Sequence, residues 1–182
     1  ALDDAGRLTL AGKALAKLPL PPRLAHMILS AGDDGAPAAD IAVLLTERGL
    51  GGKDTDIRHR LGALRHERGK RAEDARRLAT NWARLAKAGQ GRDVERAGAV
   101  LALGYPDRVA KARPGRAGEF QLANGRGAYV DETDALARQP YVAIAELAGL
   151  GARARILSAA PLEEADLLAL FADRIETVEE VR

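Results

Sequence analysis

The sequence predicts an α+β protein in which an N-terminal helical bundle is followed by a small β-rich domain with a C-terminal helix. Apolar residues recur at helical spacing as far as about residue 104. From Tyr105 onward, short β-rich segments alternate with glycine and proline turns. The composition, 47% hydrophobic and 30% charged residues without cysteine, is typical of a globular chain that folds without disulfides, and 182 residues suffice to bury a core.

The first three helices are predicted from their caps and stops. Thr9 is expected to cap a short helix that runs to Leu18 and that Pro19 ends. Pro21 and Pro22 suit the first turn of a second helix. A third helix is predicted to open at Pro37 and to end at the glycines that begin with Gly49.

Three more helices complete the predicted bundle. Asp54 or Thr55 is expected to cap the fourth helix, which stops at Gly69. The fifth, over residues 71–88, places Leu78 and Trp82 on one apolar face at a spacing of 3.6 residues. The sixth is predicted to run from Asp93 to just before Pro106.

The second half is predicted to form a small, strongly bent sheet or barrel. The Asn124-Gly125 pair indicates a tight turn between two strands. A helix is expected after Pro161, with acidic residues in its first turn and Leu167, Leu168, Leu170 and Phe171 on its buried face. The end of the chain, 175–182, is a weak strand candidate. The predicted strands are 108–112, 119–122, 128–130, 141–147 and 154–159.

Several motifs of nucleotide chemistry are absent. The Gly-Lys pairs at Gly12, Gly52 and Gly69 lack the Ser or Thr that follows in a phosphate-binding loop. The acidic stretch 131–134 is interpreted as a solvated loop because no buried strand precedes it. The glycines at 149 and 151 match a dinucleotide-binding turn in spacing, but the β-like sequence after them favours a turn between antiparallel strands.

No catalytic, cofactor or metal site is predicted in this chain. His59 and His66 fall seven residues apart on one helix, about 10.5 Å, which is too far for a shared zinc ion. His26 is expected to be a packed or capping side chain. No apolar run approaches the ~20 residues that span a bilayer, and no secretory signal opens the chain, so a cytoplasmic protein is expected.

The charge distribution indicates a phosphate-binding surface. Residues 58–96 hold twelve Lys or Arg against five Asp or Glu, whereas 161–182 hold seven acids against two bases. A row of guanidinium groups on one side of the helices can contact a phosphate backbone. The alternative, a solvated helix face paired internally with Glu67, Glu73 and Asp74, stays open. The predicted nucleic-acid contacts are Arg58, Arg65, Arg68, Arg76 and Arg84 in the helices and Lys111, Arg113, Arg116 and Arg126 in the β-rich domain.

Four stretches resemble DEAH-box helicases. Residues 8–27, LTLAGKALAKLPLPPRLAHM, resemble the stretch that leaves the winged helix of that family and enters its helical ratchet domain. Residues 105–110, 121–128 and 159–171 look like the bacterial HrpB branch. The resemblance implies a remnant of a winged helix at 1–20, a ratchet domain at 21–104 and an OB-like domain at 105–182.

The resemblance also implies a larger parent. Two RecA-like motor domains before Ala1 would couple ATP hydrolysis, with Mg²⁺, to movement along RNA, and a start at Ala1 with the first methionine at Met27 fits a chain cut from something longer. This segment itself is then expected to be a non-enzymatic accessory part. It would position single-stranded RNA, with single-stranded DNA as the alternative, beside the motor domains, and its oligomeric state stays open. The alternative is a protein-interaction module that docks a helicase regulator; an independent small enzyme is disfavoured because no catalytic site is visible.

Overall fold

The computed structural model describes residues 6–149 and 153–175, and helices fill the first part of the chain. Each predicted helix is present, with boundaries that shift by a few residues. The N-terminal helices are Leu10–Ala16 (α1), Pro22–Ser30 (α2), Gly35–Thr46 (α3), Ile57–His66 (α4), Lys70–Ala86 (α5) and Ala97–Gly104 (α6).

The caps explain where these helices begin. The Thr9 hydroxyl accepts a hydrogen bond from the Gly12 N–H at 3.0 Å, as predicted. The prediction for α4 was wrong by one or two residues: Asp56 caps this helix, and its Oδ1 accepts from the Arg58 N–H at 2.9 Å. Asp54 instead accepts from the Asp56 N–H at 2.9 Å and so shapes the turn that precedes the cap.

Two other helix starts also differ from the prediction. Helix α3 begins at Gly35, two residues before Pro37. Proline is tolerated at this position because the N–H groups of the first turn have no acceptor within the helix. Helix α6 begins at Ala97 rather than at Asp93. The Asp93 carboxylate accepts from the Glu95 N–H at 2.9 Å, which stabilises a turn before the helix.

Five strands close into a barrel after α6. They are Val109–Ala112 (β1), Glu119–Leu122 (β2), Gly127–Tyr129 (β3), Tyr141–Ala148 (β4) and Arg153–Pro161 (β5). The strand order around the barrel is β1-β2-β3-β5-β4, with β3 and β5 parallel and the other pairs antiparallel. The turn at Asn124-Gly125 is confirmed: the Gly125 N–H donates to Leu122 O at 2.8 Å, and Gly125 has a φ of 84°.

The C-terminal helix corrects one prediction. Helix α7 spans Glu164–Phe171, but none of its residues is fully buried, and Leu168 is 50% exposed. Leu167, Leu170 and Phe171 pack only partly against the helical core. The weak strand expected at 175–182 and the glycine turn at 149–151 lie largely outside the described residues. The strands that flank the glycine turn, β4 and β5, are antiparallel as expected.

The hydrophobic core crosses from the helices into the barrel. The larger cluster includes Trp82 of α5 and Leu101 of α6, and it also contains Val109, Ala143 and Leu162 from the β-rich part. A second cluster fills the barrel itself around Phe120. The helices and the barrel are therefore packed through a shared apolar surface.

Candidate nucleic-acid interface

A basic groove lies between α3, the end of α4, α5 and the loop that follows α5. Its volume is about 850 Å³. Among the described residues that line it, five are cationic and one is acidic; the rest are small or uncharged. The charged lining residues are Arg65, Arg76, Arg84, Lys87, Arg92 and Asp40.

Three of the predicted helical contacts meet in this groove. Arg65 donates through Nη2 to Arg92 O at 3.2 Å, and Arg84 donates through Nη2 to Asn81 Oδ1 at 2.8 Å. Arg76 donates through Nη1 to Leu64 O at 2.8 Å and to Glu67 O at 2.9 Å, so it also caps the carbonyl end of α4. None of these bonds neutralises a guanidinium charge, since every acceptor is uncharged.

The end of the groove is closed by a loop joined to the start of α3. The Gly89 N–H donates to Gly32 O at 3.0 Å, and the Ala36 N–H donates back to Gly89 O at 2.9 Å. A Cβ at Gly89 would lie 2.4 Å from the Asp33 Cα atom, so only glycine allows this approach. The loop therefore holds Arg92 beside the groove.

The residue that starts this loop has an unfavourable backbone conformation. Lys87 has a φ of 53°, and it is the one non-glycine residue with positive φ in the described parts of the chain. It forms the left-handed C-terminal cap of α5, where glycine is the ordinary residue. Glycine would adopt this conformation with less strain, but the lysine side chain adds a positive charge to the groove lining.

The other two predicted helical contacts lie away from the groove lining. Arg58 is paired with the buried Asp56, Nη2 to Oδ2 at 2.7 Å, and with Glu95, Nη1 to Oε2 at 2.5 Å. The hydrogen bonds that Arg58 donates to the Asp56 carboxylate raise the pKa of Arg58 despite partial burial. Arg68 is exposed just beyond the C-terminus of α4.

The internal pairing that the sequence left open involves different residues from those expected. Glu73 and Asp74 lie near Arg77, at 3.9 Å and 4.0 Å, and Arg77 is not a groove residue. Glu67 accepts from the Gly51 N–H at 3.0 Å through its carboxylate. Among the described residues, the groove arginines thus have no carboxylate partner within 4.0 Å. On the exposed outer face of α5, Arg77 forms weak ion pairs with Glu73 and Asp74.

The four predicted barrel contacts lie on strand β1, in the β1–β2 loop and in the β2–β3 turn. Lys111 places its Nζ 5.8 Å from the centre of the Tyr141 ring, and Arg126 is exposed at the β2–β3 turn. Arg113 and Arg116 line a small pocket of about 190 Å³ on the barrel, where Arg116 pairs with Glu119 at 3.3 Å.

Sequence reasoning missed charged residues that line the groove and the small barrel pocket. Arg153 joins the small barrel pocket; its guanidinium stacks 4.6 Å from the centre of the Tyr129 ring and pairs with Glu119 at 3.0 Å. In the groove, Asp40 was not predicted because it lies on α3, far from α5 in sequence, and Arg92 was not singled out although it lies in the loop that follows α5. The net positive charge of residues 58–96 was the one signal that included Lys87 and Arg92.

Other titratable clusters have structural partners. His59 Nδ1 lies 2.9 Å from Asp54 Oδ2, and Asp131 accepts from the Thr133 N–H and hydroxyl, which lowers the pKa of Asp131 within an exposed turn. The acidic stretch 131–134 forms a loop, as interpreted, but the reason was wrong, because strand β3 with buried Ala128 lies just before it. Within residues 6–149 and 153–175, no group of three or more His, Asp or Glu side chains is arranged to hold a metal ion.

A buried polar contact joins the helices to the barrel. Arg60, 8% exposed, donates to Ser158 Oγ at 3.3 Å and to Leu44 O at 3.2 Å. The Ala159 N–H donates to Thr55 O at 2.9 Å, so β5 also bonds to the turn before α4. These contacts fix the basic helices relative to the strands.

Comparisons with known proteins define the class and then the type. No family model matches the chain. Its mixed helical and barrel fold is that of a segment of a DExH-box NTPase. The relative that specifies the type is the ATP-dependent RNA helicase HrpB of Escherichia coli (strain K12): this chain is 35% identical to it over 176 residues, which are 95% of this chain and 20% of the relative.

Two crystal structures match the fold as well. One is the structure of the E. coli DExH-box NTPase HrpB, with a TM-score of 0.76 and 32% identity. The match covers 95% of this chain and 21% of the HrpB chain. The other, of the Escherichia coli DEAH/RHA helicase HrpB, has a TM-score of 0.72 and 29% identity and covers 90% of this chain and 20% of its own. The predicted resemblance is confirmed: the chain corresponds to a C-terminal segment of an HrpB-type helicase and spans about a fifth of the length of these relatives.

No helix in the described residues is both long enough and apolar enough to cross a membrane.

Proposed function

We propose that this segment positions a single strand of RNA beside the motor domains of an HrpB-type helicase. The observation that carries the proposal is the basic groove, in which five cationic side chains from α4, α5 and the following loop surround one channel. Phosphate groups bind such a surface without regard to base sequence. ATP, Mg²⁺ and the RecA-like domains would act outside these 182 residues, since no phosphate-binding loop is present in them.

The barrel supports the same role as a second, smaller surface. A five-stranded closed barrel with a β1-β2-β3-β5-β4 order suits an OB-like domain, in which the β1–β2 loop and the face of strands 2 and 3 contact oligonucleotides. Arg113 and Arg116 lie in that loop, and Tyr129 on β3 offers an aromatic ring beside Arg153. Stacking on such a ring is tolerant of base identity.

Fluorescence anisotropy of a labelled single-stranded oligouridine tests the groove. Charge reversal of Arg65 and Arg84 to Glu is expected to weaken binding at least about tenfold at low salt, because two phosphate contacts are lost and two repulsions are added. The plot of log affinity against log salt becomes shallower by about 1.4, since each lost phosphate contact on a single strand contributes about 0.7.

The matched control reverses two arginines outside the groove. Arg68→Glu with Arg77→Glu changes the net charge by the same amount, and both side chains are exposed. It is expected to weaken binding by less than about threefold, through long-range charge alone. Equal losses in the two double variants would reject the groove as the binding surface, and no binding by the unmodified chain at low salt would reject the proposed function.

A further inference from the structure

The groove contains a carboxylate among its cations. Asp40 lies on α3, opposite the basic side chains of α4 and α5, and it is partly buried. No hydrogen bond or ion pair within 4.0 Å joins it to another side chain in the part of the chain that the structure describes. Burial raises the pKa of Asp40, whereas the charges of Arg65 and Arg92 lower it to a smaller extent. Its carboxyl group therefore lines the groove without a hydrogen-bonding side-chain partner among the described residues.

A carboxylate in a phosphate-binding groove needs a ligand group other than phosphate. The charge of Asp40 repels a phosphate, so a groove adapted to phosphate alone would bind more tightly without it. An ionised carboxylate only accepts hydrogen bonds, and its partner must therefore be a donor. On the sugar-phosphate backbone, which is common to all sequences, the ribose 2′-hydroxyl is the group that can donate.

The arrangement of the cations makes this partner accessible. Arg65 and Arg92 line the same groove as Asp40, so a strand whose phosphates are held by these two arginines has its sugars within the groove beside the carboxylate. Resting on the proposed binding of a single strand in this groove, we propose that Asp40 is a specificity-determining residue that accepts a hydrogen bond from a ribose 2′-hydroxyl and thereby favours RNA over DNA. The recognition is independent of base identity because every ribonucleotide carries this hydroxyl.

Three oligonucleotides of equal length isolate the hydroxyl. Oligouridine, oligodeoxyuridine and 2′-fluoro-oligouridine share one base without an exocyclic amino group, and the fluoro form lacks only the hydroxyl donor. The full 182-residue chain is expected to bind oligouridine about three- to tenfold more tightly than either of the others, the range that one hydrogen bond supplies. Anisotropy titration at constant salt measures all three affinities.

Variants at Asp40 separate hydrogen bonding from charge. Asp40→Ala is expected to bind the three oligonucleotides equally, with affinities for the deoxy and fluoro forms that rise because a repulsion is removed. Asp40→Asn keeps an acceptor oxygen and is expected to retain a preference for oligouridine of about twofold or more. Asp74→Ala is the control, since this exposed acid on α5 lies outside the groove and its loss should leave the preference unchanged.

The outcomes also distinguish this inference from the proposed function. A preference for oligouridine that survives Asp40→Ala, or an equal gain for all three oligonucleotides in that variant, would overturn the role of Asp40 while leaving strand binding in place. A chain that binds all three equally before mutation would also overturn it. Absence of binding to any of them at low salt would remove both proposals.

Discussion

Asp40 lines the groove and also lowers the free energy of unfolding at neutral pH. Its pKa lies above the ordinary value of 3.8 because burial penalises the charged form more than Arg65 and Arg92 favour it. A carboxyl group whose pKa is raised on folding holds its proton more tightly in the native state than in the unfolded state. Stability therefore falls as the pH rises through the interval between the two pKa values, and it remains lowered above that interval.

Asp40→Asn is expected to raise the free energy of unfolding at neutral pH, because the neutral amide has no charge to desolvate. The gain should shrink as the pH falls through the raised pKa of Asp40 toward 3.8 and should vanish once the carboxyl is protonated in both states. Urea denaturation of the two proteins in parallel at steps from pH 7 to pH 3 measures the difference. A difference that is constant with pH, or a less stable variant at neutral pH, would contradict the expected burial cost.

Helix α6 packs against strand β5 so closely that one position has no room for a side chain. A Cβ at Gly98 would lie 1.8 Å from Pro161 O and 2.6 Å from the Pro161 carbonyl carbon. These are backbone atoms, which no change of rotamer can move. The strand and the helix must separate before any larger residue fits.

Gly98→Ala is therefore expected to destabilise the protein by about 3 kcal/mol or more, at the upper end of overpacking effects. Gly62→Ala is the matched control, because Gly62 lies inside α4 with no atom within 4 Å of the added Cβ. Its helix propensity should stabilise the protein by about 0.5–1 kcal/mol. Urea midpoints with unchanged m-values report both effects, and a raised midpoint in both variants would show that helix propensity rather than the α6–β5 contact decides.

At this scale the sequence predicts elements better than it predicts their contacts. The helices and strands follow from local periodicity, and β2 falls at 119–122 as predicted. The cap of α4 was misplaced because Asp54, Thr55 and Asp56 are consecutive and all suit the role; only the hydrogen bond at Asp56 separates them. Helix boundaries of this kind depend on local hydrogen-bond geometry, which the spacing of apolar residues does not predict.

The candidate site was predictable only in part for a related reason. Local charge identified Arg65, Arg76 and Arg84, but nothing in the local sequence distinguishes them from Arg58, whose guanidinium is paired with the buried Asp56. Asp40 reaches the groove through the packing of α3 on α5. Long-range contacts of this kind determine which charges share a surface, and a single sequence does not specify them.

At the scale of the whole molecule, the helices and the barrel share contacts of three kinds. The main core contains Ala143, Ala160 and Leu162 beside residues of the helices. Buried Arg60 donates to Ser158 on β5, and the Ala159 N–H donates to Thr55 O. The division at 104–105 predicted from the sequence describes where helices give way to strands, whereas the packing crosses that boundary. Because each part would expose apolar surface if the other unfolded, the two should lose structure together.

We therefore expect one cooperative unfolding transition. Trp82, the single tryptophan, reports on the helical core by fluorescence, and amide hydrogen exchange over residues 119–129 reports on β2 and β3. The two probes should give the same free energy of unfolding in urea. A chain that ends at residue 104 should lose the sigmoidal transition of Trp82, because its core residues would be left against water. Two separate transitions in the full chain, or a cooperative transition in the shortened one, would show that the helices and the barrel fold as independent domains.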